Sequence, residues 1–498
     1  MTKTRAAFAG VTSALVAVGL AELVAVFLGA RSAPLVAVDG WVVDNVPESL
    51  KEFAIRVFGT NDKIALVTGT AIVLLLFAAG IGLAARQAFA WGAAGIALFG
   101  LIGAAAAAAV SRPGATAAWV LPSVVGAGAA ILILHLLVRT EQRAESGTGD
   151  RRSFLKLAGW TAAGAVVAGL AGRTLADRRG VSQARSEVTL PPPSGPPAAD
   201  PSTLPTGYVT SNRDFYLIDA AIVKPQVDPE TWRLRIHGAV DREVTVTYAE
   251  VLAMPMVERY VTLACVSNEV GGDLIGNARW LGVPVKQLLE RAGPKAGADQ
   301  VVQRSADGWT CGTPTQVLLD GRDALLAVGM NGVPLPVRHG FPVRMVVPGL
   351  YGYVSACKWI TELELTTFAE FDAYWVRRGW AQQATIKTQS RIDTPSGSKA
   401  AGPVTIAGVA WAQHRGIAKV EVRVTGGAEV GQWQEAELLD TVSVDTWRQW
   451  RLAWQPVAGD YTISVRATDA TGETQTEQRT PIIPDGATGW HTVRVKIT

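Results

Sequence analysis

The chain has 498 residues, 49% of them hydrophobic and 18% charged, with a formal net charge of +3 at pH 7. That charge is too small and too diffuse for a nucleic-acid partner. Three cysteines, Cys265, Cys311 and Cys357, are too few for a disulfide framework and leave at least one thiol for other work. The sequence has no CxxCH and no paired CxxC motif, so it carries no sign of its own haem or iron–sulfur cluster.

In chain order, an apolar half comes first. Runs at residues 6–28, 64–85, 87–110 and 114–138 reach the roughly 20 residues that a helix needs to cross a hydrocarbon core. A further run, 157–172, is shorter. Several such runs separated by short polar segments weigh against buried core helices. With a cytoplasmic N-terminus, Lys3, Arg5, Arg86, Arg139, Arg143, Arg151, Arg152 and Lys156 fall on the inner side. Arg31, Lys51, Arg56, Lys63 and Arg112 fall on the other, and an odd number of spans places residues 200–498 outside the cytoplasmic membrane. Glu22 and His135 interrupt apolar runs near helix ends and are read as snorkelling groups rather than as an ion or quinone path.

Before the last run stands Arg151-Arg152-Ser153-Phe154-Leu155-Lys156, which resembles a twin-arginine translocation signal, the address of proteins exported already folded. A plain stop-transfer cluster would accept any mixture of Lys and Arg. Arg173, Arg178 and Arg179 beyond the run break the positive-inside pattern, as delivery by a separate route would allow.

Pro191-Pro192-Pro193-Ser194-Gly195-Pro196-Pro197 then reads as a stiff spacer holding the globular part off the lipid. Short strands follow, with Cys265 at the end of one. Val285, Leu288, Leu289 and Ala292 recur at i, i+3, i+4 and i+7, one face of a helix. Phe341, Val343, Met345 and Val347 alternate, with Arg344 on the opposite face. This mixture predicts an α+β domain. Toward the end, Ala418, Val420, Val422 and Val424 alternate with charged residues. Tyr461, Ile463, Val465 and Ala467 do the same, as do Val493, Val495 and Ile497, which predicts an all-β sandwich.

The chemistry is concentrated in two stretches. The first runs from Thr262-Leu263-Ala264-Cys265-Val266-Ser267-Asn268 through Gly271-Gly272 to Arg279-Trp280. A cysteine leaving a strand into a glycine-rich loop exposes its sulfur and lets backbone approach a ligand, and a thiolate suits soft or redox-active metals. The second runs from Arg338-His339-Gly340-Phe341-Pro342-Val343-Arg344 to Pro348-Gly349-Leu350-Tyr351-Gly352-Tyr353-Val354-Ser355-Ala356-Cys357-Lys358-Trp359. Its His, Arg, Ser and Lys in tight loops can converge on one phosphate.

Together these stretches resemble the molybdopterin-binding domain of the sulfite oxidase family, which includes plant nitrate reductases and bacterial periplasmic sulfoxide reductases. The resemblance implies that Cys265 is the protein ligand of a molybdenum held with one molybdopterin. It implies cofactor contacts at His339, Arg344, Ser355, Lys358 and Asp307, and more loosely at Arg213, Tyr216 and Leu217 of an Asn-Arg-Asp-Phe-Tyr-Leu segment. Tyr351 matches an aromatic position of the sulfoxide-reductase branch and is taken as a catalytic-site residue. Val354 stands where the family's sulfite oxidases carry an oxyanion-binding Arg, and either Cys357 or Lys358 takes the last cofactor position.

The expected organisation is therefore multi-domain. An all-α transmembrane bundle of about five helices (1–180) comes first, then a Pro-rich linker (181–205) and an α+β sulfite-oxidase-type molybdopterin domain (206–382). An immunoglobulin-like β-sandwich resembling the family's dimerisation domain (383–498) completes it and implies a homodimer. The expected function is two-electron oxidation or oxygen-atom transfer on a small substrate, with electrons passed to or from a separate cytochrome or quinone. The rivals are a sulfoxide or N-oxide reductase of the same fold and a cofactor-free binding module on a membrane anchor. Cys311 and Cys357 fall in neighbouring loops if Asp307 and Lys358 share a cofactor, so a disulfide between them is an open expectation.

Overall fold

The computed structural model describes residues 1–29, 32–45, 62–109, 116–145, 151–178, 181–196, 198–221, 223–427 and 429–498. Arg31, Lys51, Arg56, Arg112, Arg179 and Pro197 lie outside the described residues, as do the side chains of Lys63, Arg151, Arg173 and Arg178. The chain forms two compact units, Met1–Gln183 with Ala221–Lys224, and Ala184–Ala220 with Pro225–Thr498.

The first unit is helical: α1 Lys3–Leu28, α2 Pro34–Asn45, α3 Asp62–Gln87, α4 Phe89–Ala109, α5 Leu121–Glu145 and α6 Arg151–Arg178. Among the described residues, five helical segments are long and apolar enough to cross a membrane: Lys3–Leu28, Thr68–Gln87, Phe89–Ala109, Ala117–Arg143 and Arg152–Gly172. α2 was not expected, and its 12 residues are too few to span. α1 is central and packs on α3, α5 and α6 through small residues. A Cβ on Gly10 would lie 2.0 Å from the Ala78 carbonyl, one on Gly19 2.3 Å from that of Ala165, and one on Gly126 2.5 Å from that of Ala17. Such close backbone approach is how helices associate where no hydrophobic effect drives them together. Outward-facing Leu76, Phe77, Trp91, Leu101, Trp160 and Val167 present apolar surface instead of a polar face. Arg5 pairs with Glu141 at 2.7 Å, and Arg86 donates to the Met1 carbonyl at 2.9 Å, so basic residues assigned to one side by charge share one end of the bundle. The Arg-Arg motif is the first turn of α6, and Phe154 from it is fully buried beside Leu134 and Leu137.

The second unit, from Ala184, opens within α7 Ser182–Glu187 and continues as a strap along the segment expected to be a stiff spacer. Arg185 donates to the carbonyls of Pro334 and Leu335, both at 2.7 Å. Ser194 N–H donates to the Met256 carbonyl at 2.8 Å, and the Tyr260 hydroxyl to that of Ala199 at 2.8 Å. Val188, Leu190, Ala198, Ala199 and Leu204 pack on the core. Proline stiffens this segment, and its apolar side chains and backbone groups dock it along the domain.

Ten strands form the α+β part: β1 Arg233–Gly238, β2 Val244–Thr247, β3 Val257–Ala264, β4 Ile275–Pro284, β5 Gln300–Ser305, β6 Thr310–Pro314, β7 Leu325–Met330, β8 Val333–Pro334, β9 Arg344–Val346 and β10 Ile360–Thr366. One sheet has the order β2-β1-β10-β5-β6, the other β3-β4-β7-β8 with β9 paired to β7. Three short helices join them: α8 Tyr248–Ala253, α9 Val285–Ala292 and α10 Thr315–Leu319. A capping box between Thr247 and Glu250 starts α8. α9 buries Val285, Leu288, Leu289 and Ala292 completely, as its spacing predicts, and each of the two leucines contributes about 2–3 kcal/mol. The expected strand at 341–347 is reduced to three residues, and both faces of it are buried, so Arg344 on the opposite face is 5% exposed.

The rest forms β11 Gln389–Thr394, β12 Gly397–Lys399, β13 Val404–Trp411, β14 Ile417–Gly426, β15 Glu429–Glu435, β16 Glu437–Leu438, β17 Arg448–Trp454, β18 Gly459–Asp469 and β19 His491–Ile497. Sheets β11-β13-β17-β16 and β12-β19-β18-β14-β15 enclose a second core of Ile406, Val420, Val422, Trp450, Ile463 and Val465. Ala418, expected inside, is exposed, because a register shift between Ile417 and Lys419 turns Ile417 inward. Packing crosses the expected 382/383 boundary, since Val409, Trp411 and Trp447 join the first core. Polar groups also cross it. Trp447 N–H donates to the Thr262 hydroxyl at 2.8 Å, its indole N–H to the Tyr208 carbonyl at 2.9 Å, and Gln413 to the Thr262 carbonyl at 3.1 Å.

Candidate functional site

β3 ends at Ala264 and delivers Cys265 into a tight loop. Cys265 N–H donates to the Leu274 carbonyl at 2.9 Å, and Asn268 N–H returns to the Cys265 carbonyl at 3.1 Å. Asn268 Oδ1 accepts from Leu274 N–H at 2.8 Å, which closes the loop. The thiol is buried, and burial pushes its pKa up. Against that act hydrogen bonds from Ser267 and Val266 and the positive charge of Lys358. These are the donors and the charge that a thiolate needs.

Opposite this loop, the backbone at 343–345 and 357–360 runs side by side. Met345 N–H donates to the Cys357 carbonyl at 2.8 Å, Ile360 N–H to that of Val343 at 3.2 Å, and Arg344 bridges Lys358. Gly340 permits this crowding. Its φ is +112°, and a Cβ there would lie 3.0 Å from the Cβ of Arg344 and 3.2 Å from that of Lys358. Arg344 donates to the carbonyls of His339 at 3.1 Å and Met345 at 3.3 Å, and among the described residues no carboxylate pairs with it. Burial lowers its pKa to about 10, so it keeps its charge at neutral pH. His339 Nε2–H donates to the Asn212 carbonyl at 2.9 Å, a carbonyl being able only to accept. Burial, with Arg344, Lys358 and Arg338 nearby, pulls its pKa down to about 3, so the ring is neutral.

Tyr216 and Tyr351 lie close enough to Cys265 to feel its charge, and burial raises both phenols above their ordinary range. Phe215 seats the Tyr216 segment edge-on against Trp280 and His339, both at 5.7 Å. The Lys387 N–H approaches the Tyr351 hydroxyl at 3.5 Å, and a Cβ on Gly486 would lie 2.7 Å from that oxygen.

Cys265, Tyr216, His339, Arg344, Tyr351 and Lys358 are thus brought together. Asp307 is buried in the β5–β6 turn, where it accepts from Trp309 N–H at 3.1 Å and lies close enough to act on Cys357. The side chains of three expected residues are placed elsewhere. Arg213 is 88% exposed and paired with Asp214, and Leu217 is exposed. The Ser355 hydroxyl is turned into its own loop, donating to the Tyr351 carbonyl at 2.9 Å. Lys358 lies close enough to Cys265 and His339 to act on both, while Cys357 is fully buried in the hydrophobic core. The expected disulfide is absent: Cys265, Cys311 and Cys357 are all free thiols. Cys357 N–H donates to Gln303 Oε1 at 3.2 Å, and Cys311 lies close enough to act on the Cys357 thiol.

Sequence reasoning missed Asp219, whose Oδ2 lies 2.7 Å from Lys358 Nζ, and Gln303, which pins the Ser355–Cys357 loop through both ends of its amide. Neither stands in a motif, and only long-range pairing identifies them. Trp280 was visible at the end of the Cys265 stretch, but its place under Arg344 was not.

Residues 221–375 match the oxidoreductase molybdopterin binding domain. That match includes Cys265, Asp307, His339, Arg344, Tyr351, Ser355 and Lys358, and leaves out Arg213, Tyr216 and Leu217. Mitochondrial sulfite oxidase of Mus musculus is 30% identical over 352 residues, which cover 60% of this chain and 63% of that protein. The uncharacterized oxidoreductase YuiH of Bacillus subtilis (strain 168) is 34% identical over 176 residues, covering 35% of this chain and 84% of that protein. The chain therefore spans less than two thirds of the mouse enzyme and most of the bacterial relative. In fold, it is similar to the sulfane dehydrogenase SoxCD from Paracoccus pantotrophus, with a TM-score of 0.51 and 24% identity over 58% of this chain and 82% of that one.

Proposed function

The chain belongs to the sulfite oxidase family of molybdopterin oxidoreductases, and from that premise we propose that it is a membrane-anchored enzyme acting outside the cytoplasmic membrane. Its reaction is two-electron oxidation or oxygen-atom transfer on a small substrate. The observation that carries this reading is the convergence of Cys265, Arg344, His339 and Lys358 from separate loops. A buried guanidinium with only backbone acceptors and no carboxylate is a group waiting for an anion. Cys265 offers a soft donor already supplied with hydrogen bonds. The residues present therefore fit a molybdenum held by one thiolate and a pterin carrying an anionic group.

Cys265 would hold the metal, and Arg344 and Lys358 the anionic part. His339, Tyr216 and Asp307 would line the same group, while Arg213, Leu217 and Ser355 could contribute only through backbone atoms. When bound, the group supplies the two-electron redox chemistry. Tyr351 keeps its proton because it is buried, so it serves as a hydroxyl donor to a substrate oxygen and not as a base. Neutral His339 holds the Asn212 segment in place without adding charge.

A reductase of sulfoxides or N-oxides is favoured by one feature. Val354, where the related sulfite oxidases carry an Arg, is buried hydrocarbon. A neutral oxide needs no cation there, whereas an anionic substrate does.

The five apolar helices support a multi-pass anchor, and the Arg-Arg motif that opens α6 supports twin-arginine delivery of its span. The domains would be a bundle at 1–180, a docked linker at 181–205, the molybdopterin domain at 206–382 and an immunoglobulin-like dimerisation sandwich at 383–498. Electrons would pass to or from a cytochrome or quinone.

Elemental and pterin analysis of protein purified from membranes, followed by a dye-linked substrate screen, tests this reading. A single molybdenum and a single pterin per chain are expected. Cys265→Ser, which leaves a poor donor in place of the thiolate, should lose the metal and the activity while staying folded. Metal-free protein from molybdenum-replete cells would favour the cofactor-free binding module.

A further inference from the structure

The two cations of the site are held in opposite ways. Arg344 is fixed by backbone carbonyls and by the Trp280 ring. Lys358 is a flexible four-carbon arm with about 2 kcal/mol of rotamer entropy to lose. Its ammonium lies 2.7 Å from Asp219 Oδ2 and 4.8 Å from the Trp359 ring centre, and the two paired side chains are only 10% and 6% exposed. An ammonium buried to that degree without a partner is costly, so the carboxylate both neutralises it and fixes its direction.

Asp219 comes from a segment tied down on the same site. His339 donates to the Asn212 carbonyl, Arg338 to that of Asn212 at 2.8 Å, and Asn331 Nδ2 to Asn212 Oδ1 at 2.8 Å. Phe215 then anchors it against Trp280. The segment carries Asp219 across to Lys358 just before residue 221, where the molybdopterin-domain match begins.

We propose that Asp219 is a positioning residue, holding the Lys358 ammonium in the direction from which it binds the anionic part of the molybdopterin group. The inference rests on the reading that Lys358 contacts that group. In this role Asp219 acts through Lys358 and not by contact with the cofactor.

The test is the rate at which purified holoenzyme releases its pterin, followed by fluorescence after gel filtration. Lys358→Gln should speed release at least tenfold, and Asp219→Asn severalfold. Asp219→Glu keeps the charge and should return the rate most of the way to wild type. The double variant Asp219→Asn with Lys358→Gln should release no faster than Lys358→Gln alone, because the carboxylate has nothing left to position.

Multiplicative effects in the double variant, or a wild-type rate in Asp219→Asn, overturn the proposal. A wild-type rate in Lys358→Gln overturns instead the assignment of Lys358 to the cofactor. Should Asp219→Asn fail to fold once the carboxylate charge is lost, the double variant removes both charges. Its comparison with Lys358→Gln, together with Asp219→Glu, then decides.

Discussion

The guanidinium of Arg344 lies over the indole of Trp280, 5.0 Å from the ring centre, with both side chains buried. A desolvated pair of this kind contributes about 2 kcal/mol, but a buried cation that no carboxylate pairs with among the described residues remains under-compensated. The arrangement is one of stored binding capacity, which the fold maintains at some cost in stability.

That relationship makes Arg344→Met informative. Methionine fills similar space against Trp280 and removes the unpaired charge. The cofactor-free protein should be stabilised by about 1–4 kcal/mol, the range seen when buried ion pairs are replaced by apolar groups. Pterin content should fall to background. Thermal melting of the cofactor-free protein and pterin fluorescence read the two effects separately. A variant that is both less stable and still loaded would mean that Arg344 is a structural residue.

His339 predicts an acid sensitivity. Its pKa is pulled down to about 3 by burial, against an ordinary value near 6.5 in the unfolded chain. Between those values the unfolded chain binds one more proton than the folded one. The contribution of the neutral ring is therefore complete above about pH 6.5 and is lost as pH falls toward 3, by about 1.4 kcal/mol per pH unit. His339→Gln can still donate to the Asn212 carbonyl but does not titrate. In the soluble part, denaturant unfolding between pH 7 and pH 5 should show a loss in wild type larger by about 2 kcal/mol than in the variant. Parallel losses would show that His339 is not the group responsible.

How much of this was legible in the sequence depended on whether the signal was periodic, local or long-range. The α9 face and the β18 alternation are periodic, and both are buried as expected. Cys265, His339, Arg344 and Lys358 stand in two compact motifs and meet in space. Arg344 was placed on the face opposite Phe341, Val343 and Met345, and that face is buried as well. The Pro-rich segment misled by composition, since its stiffness was visible but the Met256 and Tyr260 partners that dock it were not. Asp219 and Gln303 are fixed by partners more than fifty positions away, and no local pattern encodes such a pairing.

The Arg-Arg motif gives a prediction about delivery. Arg151 opens α6, and Phe154 is buried beside Leu134 and Leu137. Arg151→Lys with Arg152→Lys preserves charge, and Lys has nearly the helix propensity of Arg, so neither bundle packing nor positive-inside topology should change. Recognition of the arginine pair should fail all the same. Protease added to spheroplasts should then digest the globular unit in wild type and leave it intact in the double variant. Equal digestion would reduce the motif to a plain basic cluster.

The three thiols give the last prediction. Cys311 lies on β6 and Cys357 in the adjoining loop, and the two thiols lie close enough to act on one another. Proximity in an oxidising compartment ordinarily favours a bridge. Both are fully buried, however, and burial raises both thiols above their ordinary range, which leaves little thiolate to start the exchange. Formation of the disulfide would also need an oxidant to reach the middle of the hydrophobic core. A thiol reagent should therefore find none of the three reactive in the native cofactor-loaded protein, with Cys265 committed to metal. In denaturant with a chelator and no reductant it should find three. A count of one would establish a bridge between Cys311 and Cys357, and a fast-reacting thiol in the native protein would show that Cys265 holds no metal.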